Sequence, residues 1–511
     1  MRTMTALGLA CALLIGGATS AALADEIKPG MITISLGSDV HTMDPHASSS
    51  AITNTIHRYV FDTLMHRPKG AVAAIPWAAE SVRLIDPSTY EFKMREGVKF
   101  TNGEDVDAEA VKFSLLRPRT PGYRSAQSRI FRNIKDVEVV SKWVARVKLT
   151  GPDPGLLNRL SDYGNLVPPK YYASISQEDA AVKPIGSGPY KLVRWTKDVE
   201  MVFEANPDHW NKKLTRLKTV RVVPIREQGT KVAALLSGEV NLAANIPPQY
   251  IPRLQNDKRA KAVIDKGTRI YHVGFTHGIK SPLNDVRVRR AVAHAIDRSV
   301  LVKNVVEGYG AVANSPLHQW TAGHDPKLAW PYPYDPEKAK ALLKEAGYPN
   351  GIDIDFYSPA GRYTKDKEVA EAISGFLQAV GIRAKYHPLT WSRFVEVFRA
   401  KTKPDAKPFL FYIGYGNGNG DTDRTLNALA SCKGVWSAYC NPDLDKMMDK
   451  ALGTSDLTAR NAIFKDIVNK LVSDVSHVFL WQENALYGMT RDVSWDVRND
   501  DRVYAWEIER K

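Results

Sequence analysis

One segment gathers the residue types that could contact a small polar molecule: Gly414-Tyr415-Gly416-Asn417-Gly418-Asn419-Gly420-Asp421. Four glycines let backbone approach a ligand closely, and asparagine offers both donors and acceptors. The register does not fit the G-x-G-x-x-G dinucleotide pattern, and no Gly-Lys pair exists for a phosphate loop. Two readings stay open, a plain surface turn and a ligand loop in which Tyr415, Asn417, Asn419 and Asp421 make the contacts. A second candidate is Gly361-Arg362-Tyr363, where a loop arginine beside a ring suits bidentate capture of a carboxylate or phosphate. A solvated surface arginine is the alternative. Trp391 reads equally as a pocket floor or as core. Ser48, Ser49 and Ser50 either cap the following helix or face a ligand. The histidine spacings, His41/His46 and His272/His277, match no metal pattern, so no metal site is expected. No G-x-S-x-G elbow occurs and no carboxylate pair stands out for acid–base work. The chemistry on offer is binding, so no catalytic residue and no cofactor is expected.

The elements that must position these residues follow from periodicity. Met31 to Leu36 reads as a strand and Ser48 to Phe61 as a helix with Ile52, Ile56, Tyr59 and Val60 on one face. Thr89–Met94 and Trp143–Leu149 alternate as half-buried strands. Gly186–Trp195 pairs with Val199–Glu204. Thr219–Pro224, a helix over Gln228–Ser237 and a strand near Leu242-Ala243 make a βαβ step. The second half alternates: strand Thr268–Phe275, helices from Val286 and Asp335, strand Ile352–Tyr357, helix Thr364–Val380, strand Ile382–Tyr386, helix Trp391–Ala400, strand Phe409–Gly414. Two helices follow, over 444–452 and 458–472, with short strands near 478–481 and 502–507. This rhythm predicts an α/β protein. Arg362, Trp391 and the glycine-rich loop then all sit at ends of strands.

Length and charge bound the rest. Residues 1–24 read as a secretory leader: Arg2, an apolar run over 7–18, and Ala22-Leu23-Ala24 as a cleavage site. The run is too short and broken for a transmembrane span. About 485 residues remain, enough for two or three compact units. Without Arg2, 69 Lys+Arg face 56 Asp+Glu, a balance of +13. That charge is dispersed and carries no recognition-helix or RNA-binding signature, so no nucleic-acid partner is expected. Cys432 and Cys440, eight apart in an exported chain, predict a disulfide.

Several stretches carry a resemblance. Val60-Phe61-Asp62-Thr63-Leu64, Pro76-Trp77-Ala78-Ala79-Glu80-Ser81, Glu91 through Gly103, Asp285-Val286-Arg287-Val288-Arg289-Arg290-Ala291 and Tyr334 through Leu343 occur in order. From about residue 30 to 485 the chain resembles the periplasmic solute-binding proteins of ABC importers, in the dipeptide, oligopeptide and nickel-binding class (family 5). The resemblance implies a periplasmic-binding-protein-like two-lobe α/β fold with mixed sheets and an extra N-terminal subdomain, cluster C type. The implied units are residues 25–60, 186–268 and 485–511 as lobe I, 61–185 as the extra subdomain, and 269–484 as lobe II. It further implies a periplasmic monomer that is not an enzyme. Such a carrier closes on a small molecule or short peptide and hands it transiently to an inner-membrane ABC permease. An opine, an oligosaccharide or a metal chelate is the other ligand class to weigh. In peptide-binding members a loop carboxylate pairs with the peptide amine. Gly418 stands at that position here, which predicts a ligand lacking that amine or an amine held elsewhere.

Overall fold

The computed structural model describes residues 30–511 except 37, 129, 277–280, 402–406 and 499. The leader, Cys11 and His277 lie outside the described residues. The alternating apolar positions of the strands assemble one 11-stranded mixed sheet. Its order is Ile382–Leu389, Ile352–Pro359, Phe409–Gly416, Ala260–Phe275, His477–Thr490, Leu242–Ala244, Met31–Ser35, Thr219–Val223, Glu200–Ala205 and Tyr190–Thr196. Gly310–Val312 adds to His477–Thr490 off this path. Met31–Ser35 runs parallel to both of its neighbours, so the βαβ step predicted over 219–243 spans an intervening strand. At the other end Ile352–Pro359 is parallel to Ile382–Leu389 and to Phe409–Gly416.

Two long antiparallel strands join the halves. Ala260–Phe275 and His477–Thr490 extend well beyond the predicted 268–275 and 478–481. Lys261, Asp265, Lys266 and Gly267 in one strand, and Gln482-Glu483-Asn484 in the other, interrupt the apolar alternation that marks a strand. Their ladder shifts register between Lys266 and Ile270, opposite Asn484 and Gln482. Two extra residues in the first strand there bend the pair as it passes from one half to the other.

Each half has its own core. One gathers Ile32, Tyr59, Phe203, Val220 and Trp506. The other gathers Tyr271, Val292, Phe356, Ile373 and Tyr412. A separate four-stranded antiparallel sheet, ordered Ala79–Asp86, Thr89–Met94, Val144–Leu149, Ile134–Ser141, packs its own apolar layer around Phe92, Val111 and Leu160. The tail departs from expectation. Tyr504 and Trp506 stack at 4.5 Å with ring planes 12° apart, and Ala505–Glu507 is a 3-10 turn. Strand structure waits until Ile508–Arg510, which pairs with Val493–Trp495. Aromatic residues that favour strands are used here in side-chain packing.

Candidate functional site

The segment after strand Phe409–Gly416 uses its polar side chains on itself. Asn417 Nδ2 donates to the Asp421 carbonyl (3.0 Å), and Asn419 Oδ1 accepts from Asp421 N–H (3.2 Å). Asp421 caps helix Thr422–Ala430 by accepting from Arg424 N–H (3.2 Å), which also favours the carboxylate at a helix N-terminus. All three are buried. Gly420 sits at φ +66°, a conformation that favours glycine. The loop is also clasped from the other half of the molecule. Arg159 Nη1 reaches Asp421 Oδ2 at 3.0 Å, and Arg67 donates to the Gly418 carbonyl. Asn417, Asn419 and Asp421 therefore build the loop and its contact with the N-terminal half. Tyr415 and Gly416 remain partly open.

Arg362 is placed differently. The backbone N–H groups of Gly361, Arg362 and Tyr363 converge on the Asp366 carboxylate at 3.0, 2.8 and 3.0 Å. That clamp fixes the turn and leaves the arginine side chain exposed. The guanidinium lies 3.7 Å from the centroid of Trp391 and 5.2 Å from that of Tyr363. Stacking holds the plane and leaves the N–H edge open. Among the described residues the Arg362 guanidinium has no ion pair. Trp391 is half-buried and packs on Phe394.

Sequence reasoning missed a group at the bend of the long strands. Arg269 Nε pairs with Glu483 Oε1 (3.1 Å), and Tyr271 OH donates to Glu483 Oε2 (2.7 Å). The Arg269 guanidinium lies 5.3 Å from the Tyr363 ring, which links this group to Arg362. The polar residues that interrupt each strand pattern are its only sequence trace. Asp501, at φ +60°, joins the same group. Its side chain reaches water, while the protein packed around the carboxyl, followed by the charges of Glu483 and Asp500, pushes it up to about 7 against the pull of Arg269 and Arg502. No cation stands within ion-pair distance of Asp501 among the described residues. Its neighbour Asp500 holds Arg67 (3.3 Å) and Arg498 (2.6 Å), and these charges keep its own carboxyl low. The Asp500 carbonyl would lie 3.0 Å from a Cβ built at Gly418. The missing loop carboxylate and the tail acid thus adjoin. Arg424 is also exposed and without an ion pair among the described residues; Tyr163 and Tyr415, with Asp421 and Asp162, hold it protonated.

The serines precede helix Ala51–Val60, whose Ala51 carbonyl accepts from Arg502, the neighbour of Asp501. Ser48 is buried, its carbonyl accepting from Gln127 (2.6 Å) and its hydroxyl from Ser50 N–H (3.2 Å). Ser50 is the N-cap residue of helix Ala51–Val60 but makes no side-chain cap bond; Ser49 and Ser50 are exposed. Cys432 and Cys440 are bonded, as predicted. No cluster of three metal-ligating side chains occurs among the described residues, and no described helix is long and apolar enough to cross a membrane. An open depression between Asp353, Arg383 and Pro408 lies on the outer strands, lined by solvated charges and none of the aromatic residues above.

Among the described residues the cations Arg362 and Arg424 and the acid Asp501 have no ion pair, with Tyr363 beside Arg362 and Arg269, and Tyr415 near Arg424. The family model for bacterial extracellular solute-binding proteins, family 5 Middle, matches residues 73–437. The glutathione-binding protein GsiB of Pectobacterium atrosepticum is 26% identical over 504 residues, 97% of each chain. Among solved structures, the substrate-binding protein CtaP of Listeria monocytogenes superposes with a TM-score of 0.84 at 21% identity, covering 94% of this chain and 99% of that one. HbpA2 of Haemophilus parasuis gives 0.82 at 22% identity, covering 94% and 100%. The fold is the two-lobe α/β architecture of periplasmic binding proteins.

Proposed function

Because the chain belongs to the bacterial extracellular solute-binding proteins of family 5, we propose that it captures a peptide-like solute carrying carboxylates and one ammonium group, and delivers it from the periplasm to an ABC permease. The carrying observation is the set of unpaired charges. Arg362, stacked on Trp391, takes one carboxylate in its free N–H edge. Arg424 takes a second anionic group. Asp501, beside Glu483, takes the ammonium from the C-terminal segment, in place of the loop carboxylate that Gly418 lacks. Tyr415 and Tyr363 wall the space between.

This charge pattern fits glutathione and its S-substituted forms, and the GsiB relatives point to the same ligand class. The protein holds its cargo without transforming it and releases it as a monomer. Lobe closure is then a population shift driven by contacts the ligand makes only in the closed form. The deciding experiment is mass spectrometry of small molecules released from the purified protein, paired with a thermal-shift screen. A ligand at 100 times its Kd adds about 2.7 kcal/mol of stability. Release of an oligosaccharide or an uncharged solute, with no shift from S-methylglutathione or acidic peptides, would overturn the reading.

A further inference from the structure

The disulfide loop has a place in the binding site that its sequence does not announce. Residues 432–440 lie against helix Thr422–Ala430, the helix that Asp421 caps. At Gly434 a Cβ would stand 2.3 Å from the Asn427 carbonyl, so the loop approaches the helix closer than any side chain permits. Trp436 N–H donates to the Ala428 carbonyl (2.9 Å), and Cys432 N–H donates to Asp445 Oδ1 (3.1 Å). The loop is thus pinned to two helices and closed on itself. What it presents is Trp436, whose ring lies 5.3 Å from Trp391 and 5.5 Å from Phe398. Trp391 and Trp436 pack together against the cluster of Phe394, Phe398, Phe409 and Phe411. The Arg362 guanidinium lies 3.7 Å over Trp391.

We propose that the Cys432–Cys440 loop is a positioning device for the anion-binding arginine, with Trp436 as its contact residue: Trp436 fixes Trp391, and Trp391 fixes the plane of Arg362. An arginine held in plane loses less freedom when a carboxylate docks on its edge, so the loop raises selectivity for carboxylate over neutral ligands. The inference rests on the reading that Arg362 meets the anionic group, and its first readouts need no ligand.

The full mature protein is compared with Trp436→Ala, Trp436→Phe and the double variant Cys432→Ser/Cys440→Ser. Circular dichroism difference spectra read the coupling of the Trp391–Trp436 pair. Phenylglyoxal labelling with peptide mapping reads Arg362, with Arg424 as internal reference. Calorimetry reads the preference for S-methylglutathione over its C-terminal amide. Trp436→Ala and the double variant are expected to lose the paired-indole signal. They label Arg362 at least about threefold faster and lose about fivefold in carboxylate preference. Trp436→Phe restores labelling rate and preference without the indole signal, a rescue that a general packing role does not produce. Unchanged Arg362 labelling in a folded Trp436→Ala protein overturns the proposal, as does altered labelling with unaltered carboxylate preference. If the wild-type protein does not bind S-methylglutathione, the glutathione-type reading fails, while Arg362 labelling still decides the positioning claim.

Discussion

Asp501 should make ligand affinity depend on pH in a window where few other groups near the site titrate. Its carboxyl is pushed up to about 7, by burial first and then by Glu483 and Asp500. Only the ionised form attracts an ammonium group. If binding requires that form, affinity follows the ionised fraction and rises about eightfold from pH 6 to pH 7.5. That range lies below the usual α-amino titration near 8, so the ligand keeps its ammonium. At pH 7 roughly half the Asp501 carboxyls are protonated, and each binding event expels about half a proton. Calorimetry with S-methylglutathione in two buffers of different ionisation enthalpy reads that proton directly. Asp501→Asn should flatten the pH profile, abolish the buffer dependence and weaken binding about ten- to 150-fold at pH 7.5. That range corresponds to one charge-assisted hydrogen bond of about 1.5–3 kcal/mol. His318, held down to about 4 by burial, stays neutral throughout. Asp423 is raised by burial and by Asp421, but Asp501→Asn leaves it in place. An Asp501→Asn protein that keeps the wild-type slope would remove Asp501 from the site and leave the tail without a role in amine recognition.

Arg362→Ala should weaken an anionic ligand at least about tenfold, and an unchanged titration would remove Arg362 from the site. The Cys432→Ser/Cys440→Ser variant should lose about 2.5 kcal/mol on the chain-entropy model for so short a loop, read as a lower denaturant midpoint at equal slope; an equal midpoint refutes it. Asp421→Asn breaks the clasp with Arg159, but Arg159 keeps Asp153, so the ligand-free protein should keep its radius of gyration in X-ray scattering. A larger radius would show that this ion pair holds the lobes.

The repeating second half was the legible part, because its strands and helices carry clean periodicities of two and 3.6. Helices Gln228–Ser237 and Trp391–Ala400 begin and end where the sequence predicts. The first long joining strand was read at half its length and the second at under a third, because Asp265, Gly267, Gln482, Glu483 and Asn484 look like turn residues. The strands bend there, and the polar side chains stay partly open to water. The glycine-asparagine loop is legible only in part: Asn417 and Asn419 bond their own loop, while Asn417 Oδ1 and Asn419 Nδ2 have no hydrogen-bond partner among the described residues. Asn417 and Asn419 have the chemistry of ligand contacts, but a chain with glycine at every second position needs side-chain bonds to hold its shape. Local sequence does not reveal whether an amide bonds its own backbone or a guest. Asp501 was invisible for another reason: its partners Glu483 and Arg269 are 18 and 232 residues away.

A carrier must also let go, and the distribution of charges accounts for that. The contacts that clasp the loop leave few orphans when they part. Arg159 keeps Asp153, Arg67 keeps Asp500, and Asp421 keeps its helix cap. A buried ion pair offsets much of its own attraction by desolvation, and here each partner retains a second bond after opening. The clasp therefore contributes little net closing force. Arg362, Arg424 and Asp501 are the opposite case: among the described residues they have no ion pair, and in the function proposed above the ligand supplies the first one. Shifting a two-state protein from 1% to 99% closed takes about 5.5 kcal/mol of differential binding. Three charge-assisted contacts at about 1.5–3 kcal/mol each reach that figure, and two fall at its edge. A ligand that lacks either a carboxylate or the ammonium keeps two such contacts and, at their lower bound of about 3 kcal/mol, closes only about 60% of the molecules, which makes closure itself the step that discriminates among solutes.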